Sequence, residues 1–316
     1  MRCLERKKGQ LLVVHLKISY IEQDCKTLLH KIASPRLPFK WGINPYRGCL
    51  HSCIYCFARY THSYLDLDPS QDFETTIFVK TNAPQVLRKE LSRPSWKKEL
   101  INLGSVCDPY QPAEENYQIT RQLLKELARF RTPVTIATKS DLIVRDVTLL
   151  SEMAKESYLD VVLSISSINE DIRKELEPRA PTTEQRLEAI QILRENGIKT
   201  GVLMMPIAPY LNDSSEVLDR LFQALSTAGV NFVIPGILYL PRLTKPRFFD
   251  FLEKNHPELL EKYRTLYRGR SAPKWYRKKM YKQLTDLRQK YQLFDFGASR
   301  RAITPSKKQS TLDKWL

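Results

Sequence analysis

Three cysteines fall within eight residues, in the run Gly48-Cys49-Leu50-His51-Ser52-Cys53-Ile54-Tyr55-Cys56-Phe57. Thiolates at C-x3-C-x2-C spacing are soft ligands, suited to zinc or to iron–sulfur chemistry. A cubane iron–sulfur cluster normally takes four cysteines. This run supplies three and no local fourth, so one iron would keep a coordination position for another molecule. The competing reading is a structural zinc knuckle completed by His51, His62 or Cys107. Zinc sites usually come as paired half-sites, and the sequence carries no second half.

The rest of the chain must position those thiols. Its 316 residues are 42% hydrophobic, enough for a sizeable core in one large domain with an appendage. Six cysteines in a chain of this length do not make a disulfide scaffold. Clustered thiols then imply a reducing compartment, and a cytoplasmic protein is expected. The apolar stretch at 11–16 is too short for a signal-peptide core. No run approaches the roughly 20 apolar residues of a membrane span.

From about residue 100, short runs rich in apolar and β-branched residues alternate with helical patterns. The strand candidates are 101–107, 133–139, 160–166, 200–205 and 230–237, with a further one at 41–45 ahead of the cysteines. Helical patterns at 113–130 and 213–228 gather Leu123, Leu124, Leu127 and Leu218, Leu221, Leu225 onto one side. Only ten glycines occur, and Gly197 and Gly229 each stand between a helical run and a strand, the place of a left-handed helix terminator. Repeated strand–helix units predict a parallel sheet with helices outside. Six of them suggest an incomplete barrel, although pattern alone does not exclude a doubly wound sheet. In either architecture the active residues lie at the carboxyl ends of the strands. The cysteine run, Cys107-Asp108, Thr138-Lys139-Ser140, Ser164 and Ser166, Glu177-Pro178-Arg179 and Met205-Pro206 would therefore meet at one rim.

The run Asn44-Pro45-Tyr46-Arg47-Gly48-Cys49 with the following cysteines, Asp72-Phe73-Glu74, the segment from Asp108-Pro109-Tyr110 to Glu114, Thr138-Lys139-Ser140, and Leu176-Glu177-Pro178-Arg179-Ala180-Pro181 occur in that order. Together they resemble the radical SAM superfamily, in its spore photoproduct lyase-related branch, often labelled "DNA repair photolyase". The resemblance runs from roughly residue 33 to 260. It implies an α/β fold, a partial (β/α)6 TIM-like barrel, over 33–241, with an N-terminal extension at 1–32 and a basic helical C-terminal region and tail at 242–316. It also implies a [4Fe-4S] cluster on Cys49, Cys53 and Cys56, with S-adenosyl-L-methionine at the open iron. One electron from the cluster then cleaves the sulfonium and leaves a 5′-deoxyadenosyl radical, which abstracts hydrogen from substrate. By position, Tyr55 packs by the adenine and Lys139 pairs with the methionyl carboxylate, as a charge-assisted contact. Ser164 or Ser166 hydrogen-bonds the cofactor, Asp108 contacts the methionyl amine, and Arg179 is a second carboxylate partner. Cys107 stands where the lyase keeps a hydrogen-atom donor. Phe57-Ala58-Arg59 replaces the tyrosines that the lyase carries soon after its cluster, so photoproduct lyase activity itself is not expected. An electron donor such as flavodoxin or ferredoxin is implied.

Charge adds one more expectation. Residues 242–316 hold 20 Lys and Arg against 7 Asp and Glu, +13 of the chain's +16. Tyr263, Tyr267, Trp275, Tyr276, Tyr281 and Tyr291 are interleaved with them. Phosphate attraction and stacking surfaces together point to nucleic acid as a partner; an acidic protein partner accounts for the charge equally well. Three functions follow: a radical enzyme acting on nucleic acid, a non-catalytic nucleic-acid-binding protein with a structural metal, and a radical activase of a protein partner.

Overall fold

A computed structural model describes residues 17–34 and 37–294 and the backbone of two further strands, β1 (Arg2–Lys7) and β2 (Gln10–His15), which pair antiparallel. The end of the expected C-terminal region and tail, residues 295–316, lies outside the described residues. Six strands run parallel in sequence order: β5 (Trp41–Ile43), β8 (Ile101–Leu103), β9 (Val134–Thr138), β10 (Leu159–Ser164), β11 (Lys199–Ile207) and β12 (Phe232–Ile237). Helices Ile119–Arg129, Val147–Glu156, Thr183–Glu195 and Ser215–Thr227 connect them. This is the partial barrel read from the alternation. The sheet interior is apolar, with Ile136, Val161, Leu163 and Val202 fully buried. Strands buried on both faces read as continuous apolar runs, which is why they were legible.

The amino-terminal segment joins the sheets. β4 (His30–Lys31) pairs antiparallel with β5 at the barrel edge. β3 (Ser19–Gln23) lies parallel to β7 (Thr76–Lys80), which also takes β6 (Tyr46–Arg47) on its other side. That small sheet braces the cysteine segment from behind. β7 does not stand out in the sequence, although Ile77 and Val79 alternate inward as a strand should.

Two departures from expectation bear on the site. The helix read at 113–130 is two helices, Ala113–Tyr117 and Ile119–Arg129, broken at Gln118, whose φ is +50°. Glu114 explains the restart: its carboxylate accepts the Thr120 and Arg121 N–H groups at 2.8 and 3.1 Å, a side-chain cap for the second helix. The strand read at 101–107 stops at Leu103 because Gly104 turns with φ +95°. A Cβ there would come within 2.6 Å of the Ala137 carbonyl, so only glycine brings this loop against β9. Cys107 and Asp108 are thereby carried on a loop over the strand ends.

The C-terminal region folds as helices Lys245–Asn255, Leu260–Leu266 and Lys274–Lys290. Tyr263, Tyr267 and Leu284 are fully buried, so this region shares the core while leaving its basic faces to solvent. Among the described residues no helix is long and apolar enough to cross a membrane.

Candidate active site

The cysteine run leaves β5 and β6 as an irregular loop, and its backbone is held by five residues. Cys49 N–H donates to the Phe73 carbonyl at 2.9 Å and Ile54 N–H to the Leu176 carbonyl at 3.0 Å. The buried amide of Gln111 takes both edges, donating to the Gly48 carbonyl and accepting from Leu50 N–H, each at 3.0 Å. Arg59, fully buried, donates to the Cys53 carbonyl at 3.0 Å and to Glu74 at 2.8 Å. Thr244, from the C-terminal region, donates to the Cys56 carbonyl at 3.0 Å. Satisfying these carbonyls and amides fixes a loop that no ladder holds.

Cys49, Cys53 and Cys56 line one cavity of about 300 Å³ over the strand ends. Tyr55, Cys107, Asp108, Lys139 and Ser164 line it too, with Met205, Gly236 and Tyr239 from the β11 and β12 ends. Gly236 has no Cβ because Met205 occupies that space; its Sδ would lie 2.8 Å from one.

Burial pushes the Cys49 thiol well above its ordinary value, with Asp108, Cys53 and Cys56 adding to the effect. Burial likewise takes Cys53 up to about 12, opposed by Lys139 and reinforced by Glu177. Such thiols become thiolates when a cation replaces their protons. The donor set fits an iron–sulfur cube: soft sulfur, three-fold, lining one cavity. Among the described residues no three His, Cys, Asp or Glu side chains are gathered to hold a single ion. A cube offers each thiolate its own iron and does not require that convergence.

Two polar networks frame the cavity. Asp108 is one centre. Its Oδ1 accepts from the Thr138 hydroxyl at 2.6 Å and from Tyr110 N–H at 2.9 Å, and its Oδ2 accepts from Lys139 N–H at 2.7 Å. His51 Nε2 lies 3.2 Å from the same Oδ2. Burial alone would raise this carboxyl, but the charge and contact of His51, then Thr138 and Lys139 N–H, hold it down at about 2. Asp108 thus ties the cysteine loop to the end of β9.

Glu177 is the other centre. It takes the Tyr55 hydroxyl on Oε1 and faces Arg186 Nη2 at 2.6 Å on Oε2. The Glu177 and Arg186 side chains are both fully buried. A capping box of Thr182 and Gln185 starts the helix that carries Arg186, whose Nη1 donates to the Ser164 carbonyl at 2.7 Å. Lys139 Nζ stands 5.8 Å from the Tyr55 ring centre. Burial opposes its charge, but Cys53 and Glu177 outweigh that and leave it raised above its ordinary value.

Two of the expected cofactor residues stand outside this cavity. Ser166 is buried behind it, 3.5 Å from Glu177. Arg179 donates to the Glu74 carbonyl at 3.2 Å and lines a separate cavity of about 540 Å³ with His51, Tyr110, Ser140 and Arg145. The pairing of Glu177 with Arg186 is absent from the expectations drawn above. The signal was an arginine on the apolar stripe of its helix, in phase with buried Ala189, Ile190 and Leu193. Asn44 was also missed: its Oδ1 accepts Val106 N–H at 2.9 Å and stands 3.8 Å from the Cys107 sulfur.

Comparison with known proteins agrees with this architecture. Residues 43–222 match the family model described as the radical SAM superfamily. An uncharacterized protein of Mycobacterium tuberculosis is 40% identical over 278 residues, covering 87% of this chain and 82% of the relative. One from Methanocaldococcus jannaschii is 32% identical over 222 residues, covering 70% of this chain and 78% of the relative. Among solved structures, a spore photoproduct lyase mutant with bound AdoMet and dinucleoside spore photoproduct superposes with a TM-score of 0.65 at 17% identity, covering 86% of this chain and 79% of that one. At that identity the likeness is one of fold.

Proposed function

The chain belongs to the radical SAM superfamily and is a radical SAM enzyme; from that premise we propose that it carries a [4Fe-4S] cluster on Cys49, Cys53 and Cys56 and abstracts hydrogen from a nucleic-acid substrate. The observation that carries the proposal is the meeting of these three thiols with Lys139 and Ser164 in one cavity. When bound, cluster and S-adenosyl-L-methionine together supply a 5′-deoxyadenosyl radical.

The protein's own residues bind, orient and shield. Lys139, kept charged beside Tyr55, would pair with the methionyl carboxylate. Ser164 would hydrogen-bond the cofactor, and the Tyr55 ring, pinned through its hydroxyl to Glu177, would pack by the adenine. Asp108 sets the end of β9 from which Lys139 projects and would face the methionyl amine. Cys107 is a neutral thiol, pushed up to about 12 by burial, which is the state able to give a hydrogen atom to a substrate radical. Flavodoxin or ferredoxin would deliver the electron. The basic, aromatic C-terminal region supports a nucleic-acid substrate, as does the dinucleoside bound by the lyase of the same fold.

Anaerobically reconstituted protein is expected to be brown, to hold about four irons per chain, and to release 5′-deoxyadenosine with dithionite, faster when DNA or RNA is added. Colourless protein that retains zinc overturns the proposal. The same positive charge suits an acidic protein activated by the radical; stimulation by such a protein, and by no nucleic acid, would favour that reading.

A further inference from the structure

The rim of the cysteine cavity carries two half-exposed rings. Phe57, directly after Cys56, is 49% exposed, and Tyr239, just past β12, is 46% exposed; both line the cavity. Among the described residues neither is stacked on another ring, and an exposed aromatic face can stack on a planar partner.

A basic turn is held beside Tyr239. An antiparallel bridge joins Tyr239 to Ser271, and Leu240 N–H donates to the Arg270 carbonyl at 2.8 Å. Lys245 closes the turn from beneath: its Nζ donates to the Tyr267, Arg268 and Gly269 carbonyls. The turn's carbonyls are thereby engaged while Arg268 and Arg270 point to solvent, both exposed. Neither guanidinium has an ion-pair partner among the described residues. Arg242, two residues past Leu240, is exposed and likewise without an ion-pair partner among them.

Aromatic faces bordering a small cavity, with guanidiniums that lack ion-pair partners on a hydrogen-bonded turn beside Tyr239, suit one chemistry. A ring stacks on a planar base, and the arginines take the flanking phosphates. The cavity is far too small for a duplex, so a base must leave its stack to reach the chemistry. We propose that Tyr239 and Phe57, with Arg268 and Arg270, form the site that holds an unpaired nucleotide of a single strand at the mouth of the cavity. The proposal rests on the nucleic-acid reading above and adds the side chains and the unpaired state.

The test uses full-length reconstituted protein and a fluorescein-labelled single-stranded oligonucleotide with one central 2-aminopurine, in DNA and RNA arms, against the same sequence as duplex. The wild-type protein binds single strand more tightly than duplex and quenches 2-aminopurine in at least one arm. Tyr239→Ala weakens single-strand binding roughly ten-fold and loses the quench, while Tyr239→Phe keeps both. Replacing Arg268 and Arg270 by Ala lowers the slope of log affinity against log salt by about 1.4, ~0.7 for each phosphate no longer neutralised. Iron content stays at the wild-type value in each variant. Unchanged affinity and quench in Tyr239→Ala, in protein whose binding is abolished by Lys278→Glu, Lys279→Glu and Lys282→Glu, overturns this site and spares the broader reading. Wild-type protein that binds neither strand nor duplex overturns both.

Discussion

Behind the cysteine cavity the buried carboxylates are partnered, Glu177 by Arg186 and Tyr55, Asp108 by Thr138 and Lys139 N–H with His51 beside it, which leaves the Lys139 ammonium as the charge offered to a ligand, whereas along helix Lys274–Lys290 the exposed Lys278, Lys279 and Lys282 have no ion-pair partner among the described residues. The contrast separates two kinds of work. A buried unpaired charge is costly, so the cavity must be balanced and ordered before its ligand arrives. An exposed lysine costs little to leave unmatched, and it gains when a polyanion displaces small ions around it. On the function proposed above, one region would hold a small molecule in one pose and the other would attract a large polyanion in many.

The sharpest way to break the comparison is at the thiols. Cys53→Ser is expected to lose bound iron and to drop 5′-deoxyadenosine release to background, while leaving nucleic-acid affinity, read by anisotropy, within about two-fold because the basic faces act independently. Cys107→Ser is expected to keep the full iron content; loss of iron there would make Cys107 a ligand and remove the open coordination position. Next in size is Glu177→Gln, which strands the buried Arg186 and is expected to cost about 3–5 kcal/mol in thermal or denaturant unfolding. Pairing it with Arg186→Met should recover much of that loss, since an absent pair is cheaper than half of one.

Lys139→Ala is expected to weaken S-adenosyl-L-methionine binding by roughly ten- to a hundred-fold, about the 1.5–3 kcal/mol of a hydrogen bond to a charged group, with iron content unchanged by colorimetric assay. Charge reversal at Lys278, Lys279 and Lys282 should do the converse, lowering the salt slope of nucleic-acid binding and leaving basal 5′-deoxyadenosine release intact. The smallest effect is in acid. Asp108 is depressed to about 2 from an ordinary 3.8, so its contribution to stability is fully present above its unfolded value and disappears as pH falls through its folded one. Asp108→Asn should therefore flatten the pH dependence of unfolding between about pH 4 and 2 relative to wild type.

What was legible in the sequence follows the same division. The parallel strands were readable because burial on both faces leaves unbroken apolar runs, and the thiols because their chemistry constrains spacing. The rim assignment grouped Cys107, Asp108, Lys139 and Ser164 with the cysteines, and these share the cavity. Ser166 followed Ser164 by strand alternation, but β10 ends at Ser164, so alternation no longer sets where Ser166 points. Partnerships across long stretches of chain were not readable: Gln111 reaches Gly48 and Leu50, Asn44 reaches Val106, and neither amide belongs to a periodic pattern. The short strand β7 escaped because five residues of alternation carry little weight amid turns.

Thr244 and Lys245 are adjacent, and they grip different parts of the molecule: Thr244 the carbonyl of Cys56, Lys245 the turn at 267–269. The carboxyl-terminal quarter is therefore no detachable module. A shortened chain ending near residue 241 would forfeit a strut of the cysteine loop along with the exposed arginines at 268 and 270, and a chimera with a foreign tail would need to rebuild that Thr-Lys seam.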